Sequence, residues 1–238
     1  MHLPASAALS TWFEAARSGT ATLDRVATRT RGDAPHCIVV DPAGQARSLE
    51  EALAEWFEAG VRMTAALPVP GDPCGLGGPS AFNHAALDAG EAVVLNGIGL
   101  GLVPHEDART LVLSELPAVP APYADGHEAA RELRAALLAS TSRLAQLDVA
   151  SWQPEVADLL MNLRHRPAPD VPSHWDARRA ETLDRALLCR DIVALALVDE
   201  GGAVSAHEMA QRRSALRDLD AAARRALVAV CSDSLVSP

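Results

Sequence analysis

The chain has 238 residues, 49% of them apolar and only 3% aromatic, with a net charge of −10. That length and apolar content support a buried core and exclude wholesale disorder, and the acidic balance leaves no basic footprint for a nucleic-acid backbone. All 21 basic residues are Arg, so Schiff-base chemistry, pyridoxal phosphate attachment and P-loop nucleotide binding, which need Lys, are disfavoured.

Ala7 to Arg17 reads as a short helix with Leu9, Trp12, Phe13 and Ala16 on one face and Gly19 at its end. Thr22 to Thr30 is polar and Thr-rich and reads as an edge strand. His36 to Asp41 is a short buried strand closed by a turn at Pro42-Ala43-Gly44. Ser48-Leu49-Glu50-Glu51 is a capping box. It opens a helix with Leu49, Leu53, Trp56 and Phe57 on its buried side and Gly60 at its end. Val61 to Leu67 reads as the next strand.

A Gly/Pro-rich stretch follows, from Leu67 to Pro104, and holds eight of the chain's 15 glycines. Pro68, Pro70 and Pro73 favour extended backbone, and Gly75, Gly77 and Gly78 favour a turn. Ser80 is placed to cap a helix over 81–89, ended by Gly90. Glu91 to Asn96 is a strand. Gly97, Gly99 and Gly101 alternate with Ile98, Leu100 and Leu102, which in a strand gives one bare face and one aliphatic face. That spacing is not a dinucleotide fingerprint, because Leu102 stands where the third glycine is needed. Arg109 to Leu113 reads as a further strand, and Leu116 to Tyr123, with three prolines, as a linker.

Beyond the linker the pattern turns helical. Ala130, Leu133, Leu137, Ser140, Leu144 and Leu147 alternate spacings of three and four, a bundle-like seam. Pro154 opens a second helix with Val156, Leu159, Leu160 and Leu163. Residues 167–172 form another connector. A helix from about Ser173 to Glu200 ends in an apolar run, 192–198, expected to be buried all round. A last helix or helix pair reaches about Cys231, with Leu216, Leu219, Ala223, Leu227 and Val230 as its seam.

The expected fold is α+β: a mixed sheet of about five strands with flanking helices over residues 1–120, including the Gly/Pro-rich loop 67–80, then a bundle of four or five helices over 124–238. The N-terminus lacks a signal-peptide pattern and no 18-residue uncharged apolar run occurs. Cys37, Cys74, Cys189 and Cys231 form no CxxC pair, so free thiols in a reducing cytoplasm are expected, with no membrane partner.

Candidate ligand-binding residues cluster in the loop: Asp72, Gly77, Gly78, Ser80, Asn83 and His84. Backbone N–H groups at the start of a helix after Gly77-Gly78 would suit a phosphate or carboxylate, and Cys74 with His84 would suit a nucleophile if they met in space. The competing reading is a tight strand-to-helix turn. His207-Glu208-Met209-Ala210-Gln211 fails as a zinc motif at its last position, and the adjacent His105, Glu106 and Asp107 read as solvated charge rather than a metal site. The Arg pairs at 178–179, 212–213 and 224–225 read as exposed salt-bridging faces, with a patch for an acidic partner as the alternative.

The combination LPVPGDPCGLGGP, FNHAALDAGEAVV and GLGLVP resembles an uncharacterised protein family of high-GC bacteria with no assigned activity. The resemblance implies no cofactor or catalytic residue. The sequence supports two readings of function: a non-enzymatic ligand-sensing or assembly module, homo-oligomeric through its C-terminal helices, or a small-molecule enzyme with an anion site at residues 71–84.

Overall fold

The architecture is taken from a computed structural model, which describes residues 3–122, 125–146, 167–198 and 206–232. These fall into two compact units. One comprises 3–122 with 170–176 and 231–232, and the other 125–146, 167–169, 177–198 and 206–230.

The first unit is built on a six-stranded mixed sheet, one strand more than expected. Its strands are β1 (His36–Val40), β2 (Ala46–Ser48), β3 (Arg62–Ala66), β4 (Ala92–Asn96), β5 (Leu100–Asp107) and β6 (Thr110–Pro117), in the order β2-β1-β6-β5-β4-β3. Only β1 and β6 run parallel. Three helices, α1 (Ala5–Arg17), α2 (Leu23–Arg31) and α3 (Leu49–Glu58), cover one face. Odd-numbered residues of β4 and β6 and even-numbered residues of β5 point there, so Val93, Leu95, Leu102, Leu111 and Leu113 meet Leu9, Phe13, Val26 and Leu53. On the opposite face α4 (Ser80–Ala89) places Phe82 and Ala86 against Ala92, Val94 and Val103.

Segment 22–31 is helix, not strand. Thr22 accepts a hydrogen bond from the Arg25 N–H at 3.2 Å and so acts as an N-cap. Asp24 sits in the first turn and Arg29 and Arg31 in the last, which complements the helix dipole. Val26, Ala27 and Thr30 form the buried side, and Thr30 returns its hydroxyl to the Val26 carbonyl. The Thr content that suggested a strand thus serves a cap and a back-bonded helix.

The capping box at Ser48 is present in both directions, and it holds the Glu51 carboxyl below its usual range. Phe57, expected in the core, is 40% exposed and meets Phe13 edge-on at 6.3 Å. The first turn of α1 has no local cap. Glu91, 85 residues on, accepts both the N–H and the hydroxyl of Ser6, at 2.8 and 2.7 Å. A distant carboxylate thereby fixes α1 over the start of β4.

Cys37 on β1 is a half-buried thiol. Burial, aided by Glu50 and opposed by Arg31, pushes its pKa up to about 12. At pH 8 only roughly one molecule in ten thousand would carry the reactive thiolate. We expect maleimide to label Cys37 in the intact protein at least about tenfold more slowly at that pH than in the unfolded chain. Equal rates in the two states would contradict this burial.

The second unit contains α5 (Gly126–Gln146), α6 (Ala177–Val198) and α7 (Ala206–Cys231, whose last residue belongs to the sheet unit). These are three helices among the described residues, where four or five were expected. The helix proposed from Pro154 lies outside the described residues. Glu132–Arg225 and Ser140–Ala215 contacts run in opposite chain directions, as do Arg179–Val230 and Arg190–Asp220. Helix α7 is therefore antiparallel to both α5 and α6. Ser140 is buried and donates to the Ala215 carbonyl at 3.0 Å, which removes the cost of a polar seam residue.

Two expectations about these helices change. The apolar end of α6 is not buried all round, since Leu197 is 44% exposed. The Arg pairs are not wholly solvent-facing. Arg224 is 3% exposed and donates to Asp220 at 2.7 Å, and Arg179 donates to the Val230 carbonyl at 2.8 Å. No described helix is long and apolar enough to cross a membrane.

Candidate functional site

The Gly/Pro stretch forms a compact structure between β3 and α4. Val69 and Asp72 exchange backbone hydrogen bonds at 3.0 and 2.9 Å, with Gly71 at φ +88° closing the turn. The Leu67 N–H then donates to the Cys74 carbonyl at 3.0 Å, and Leu76 bridges to Pro120. The segment expected to be a free linker is pinned instead. Ala118 N–H donates to the Gly99 carbonyl at 2.9 Å, and Val119 N–H to the Gly78 carbonyl at 2.8 Å.

Three glycines are demanded by this chain's own packing. A Cβ on Gly75 would lie 2.9 Å from the Ala65 carbonyl oxygen, and one on Gly77 would lie 2.6 Å from that of Pro120. A Cβ on Gly101 would lie 2.5 Å from the Phe82 ring. The bare face of β5 is therefore narrower than the alternation suggested. Gly97 and Gly99 belong to the β4–β5 hairpin turn, at φ +102° and +70°, and only Gly101 is a strand residue, with a helix ring laid on it.

The six candidate residues have separate placements. Asp72 is half-buried, and its Oδ1 accepts the Cys74 N–H at 3.3 Å, an Asx-type turn contact. Gly77 and Gly78 lead into the cis Gly78–Pro79 bond. Ser80 does not cap α4. It is the first helical residue, Pro79 is the N-cap, and no side chain caps that end. Ser80 and His84 are exposed on the outer face of α4, one turn apart. Asn83 flanks that face, and its Oδ1 is buried with no hydrogen-bond partner. Cys74 is buried at 8% exposure while His84 faces solvent, so they do not share an environment. Among the described residues no group of three His, Cys, Asp or Glu is placed to hold a metal ion. His207 instead pairs with Gln211 at 2.9 Å along α7.

A concave feature lies in the helical unit, a groove of about 650 Å³ between α5 and α7. Its floor is alanine: Ala129, Ala135 and Ala136 from α5, Ala221 and Ala222 from α7. Its rim carries Asp125, Glu128, Glu132 and Asp218, with Arg225 as the one lining cation among the described residues. Arg225 lies 3.5 Å from Glu132, and Asp218 accepts from Arg143 at 2.8 Å. Asp125 caps α5 by accepting the Glu128 N–H at 2.9 Å, and that bond holds its carboxyl below the usual range. Sequence reading named Arg225 in the pair 224–225, and Asp125 and Glu128 as the start of a helix, but did not point to a groove here. The signal was the acid spacing 125, 128 and 132, which puts three carboxylates on one stripe of α5.

Residues 6–126 match the family description "Rv1486c-like protein, N-terminal domain", and residues 127–228 match "Rv1486c-like protein, C-terminal domain". The chain belongs to the Rv1486c-like family. Two relatives are similar to it. An uncharacterised protein of Mycobacterium avium, MAV321, is 31% identical over 56% of this chain and 55% of its own length. An uncharacterised protein of Mycobacterium leprae, ML1804, is 28% identical over 72% of this chain and 67% of its own. The chain thus spans about half of the first relative and two thirds of the second. No solved structure matches the chain. The family's division at 126/127 is not the division between the packed units. Residues 170–176, from the family's C-terminal domain, pack with the sheet unit. So does Ser232, whose Oγ accepts the Ala65 N–H of edge strand β3 at 3.1 Å.

Proposed function

We propose that this member of the Rv1486c-like family is a non-enzymatic association module, and that its helical unit is the associating part. The observation that carries the reading is the alanine-floored groove between α5 and α7. Small residues along both walls let another helix approach closely, and the charged rim gives that approach an orientation. Leu138 on α5, 71% exposed, and Leu197 on α6 add large apolar side chains to the open surface of the same unit.

The partner is a second copy of the chain. The lining carries four carboxylates and one arginine, so two copies would meet through the alanines and through the one opposite-charge pair the groove offers, Arg225 with Asp218 two turns away on α7. A two-fold contact with the grooves antiparallel brings each Arg225 toward the partner copy's Asp218. In light scattering at 50–100 μM (about the range a weak dimer needs) we expect about twice the chain mass of 25.0 kDa. Ala135→Arg, at an exposed groove position, should return the mass to that of one chain without loss of helix content. A wild-type chain that stays monomeric there would remove the proposal.

A second reading keeps the loop as a small-molecule anion site. What favours it is the open first turn of α4, whose leading N–H groups no side chain caps, flanked by the exposed Ser80 and His84. Under this reading Asp72, Gly77 and Gly78 shape the approach, and the α4 N–H groups receive a phosphate or carboxylate. A thermal-shift series with phosphate and dicarboxylates tests it. Stabilisation lost in Ser80→Asp supports this site, and no shift at millimolar anion removes it.

A further inference from the structure

Opposite charges are disposed evenly about the alanines of the helical groove. The Glu132–Arg225 and Ser140–Ala215 contacts between antiparallel α5 and α7 set Ala135 and Ala136 level with Ala221 and Ala222. On α7, Asp218 and Arg225 stand one turn to either side of the step from Ala221 to Ala222. On α5, Glu128 and Arg143 stand two turns to either side of the step from Ala135 to Ala136, each about 11 Å along the helix. Arg143 lies just outside the lining and reaches the end of the groove by donating to Asp218 at 2.8 Å. Both of those side chains are more than half exposed. The other two acids of the lining have uncharged residues at their mirror positions, Ala139 for Glu132 and Gln146 for Asp125.

We propose that two copies of the chain meet in one register, with α5 antiparallel to the partner's α5 across the Ala135–Ala136 step, so that Glu128 pairs with the partner's Arg143 while Arg225 pairs with the partner's Asp218. This rests on the association reading above and adds its register. Alanine at the axis lets two helix axes approach to about 8 Å. A two-fold axis there brings together residues equally far to either side of it. Each end of the contact then carries a row of alternating charge: Glu132, Arg225, the partner's Asp218, the partner's Arg143 and Glu128. The Glu132–Arg225 and Arg143–Asp218 members of that row are contacts each copy already makes by itself. Arg143 supplies the second cation that a lining of four carboxylates and one arginine lacks, which is how so acidic a groove can face its own copy.

The test is sedimentation equilibrium of the intact chain at up to about 100 μM. Wild type should be a dimer. Glu128→Arg and Arg143→Glu should each weaken it by about tenfold or more, because each turns two symmetry-related attractions into repulsions. The double variant should return to within about threefold of wild type. Cysteine trapping reads the same register without changing a charge. Ala135→Cys, beside the axis, should give a disulfide-linked dimer under mild oxidation, and Gln146→Cys, about 30 Å from its own counterpart, should not. A dimeric wild type whose single variants do nothing, whose double variant is not rescued, or in which Gln146→Cys links as readily as Ala135→Cys overturns the register and leaves association standing. A monomeric wild type removes the association reading and the register together.

Discussion

Gly101→Ala should destabilise the sheet unit by about 1–3 kcal/mol, a large effect for one methyl group. The added carbon would sit 2.5 and 2.6 Å from the edge of the Phe82 ring and 2.8 Å from the Ala118 Cβ. Phe82 is fully buried between α4 and the sheet and has nowhere to turn. The effect is steric, since Gly101 does not occupy the left-handed region. Urea unfolding of Gly101→Ala, Phe82→Leu and the double variant reads it directly. The double variant should be less destabilised than the sum of the singles, because the smaller side chain clears the clash. Additive losses would mean that Gly101 is needed for something other than Phe82. The same logic at Gly77 meets backbone rather than a side chain, so Gly77→Ala should cost at least as much and find no rescue.

The second large effect concerns an ion pair at the β2 end of the sheet. Glu115 on β6 is 5% exposed and faces the helix-covered side of the sheet. Its charge is met by Arg47 of β2, with Nη2 at 2.6 Å from Oε1, while Nη1 reaches Glu55 of α3 at 2.5 Å. The guanidinium also lies 5.9 Å from the Trp56 ring centroid. Arg47→Ala leaves a buried carboxylate without its cation and should destabilise by about 3–5 kcal/mol. Replacing both partners, Arg47→Met with Glu115→Leu, should recover most of that stability, since a buried pair is often no better than apolar packing. If the double replacement is as unstable as Arg47→Ala, the Arg47 contacts to Glu55 and Trp56 matter more than the pair.

What was legible in the sequence follows the range of each interaction. The capping box at Ser48 and the αL end of α4 at Gly90 are local, and both are present as read. The seam of α5 is also recognisable, with Leu133 and Ser140 buried, though its first member is Ala129 rather than Ala130. Segment 22–31 misled because Thr suits both strands and caps, and only the Arg25 N–H bond decides between them. The glycines at 97 and 99 misled because alternation describes a strand and a hairpin turn equally well over three residues. Glu91 as the cap of α1, Asp170 as the partner of Arg25 and Ser232 on the edge of β3 join residues 85, 145 and 167 positions from their partners. No spacing rule reaches that far. The groove was hidden for the same reason, since it exists only once α5 and α7 lie antiparallel.

At the loop, sequence marked a Gly/Pro stretch where bare main chain could be approached, but could not say what approaches it. Gly75, Gly77 and Gly101 admit the chain's own carbonyls and the Phe82 ring. This moves the weight of the functional reading from the loop to the helices, where small residues line a groove.

Deuterium uptake of the wild-type chain compared at two concentrations, about 1 and 100 μM, tests that reading most directly. Association through the groove predicts slower uptake at the higher concentration in residues 125–136 and 218–225, with the sheet unit unchanged. Uptake independent of concentration, or protection confined to the loop at 71–84, would contradict it.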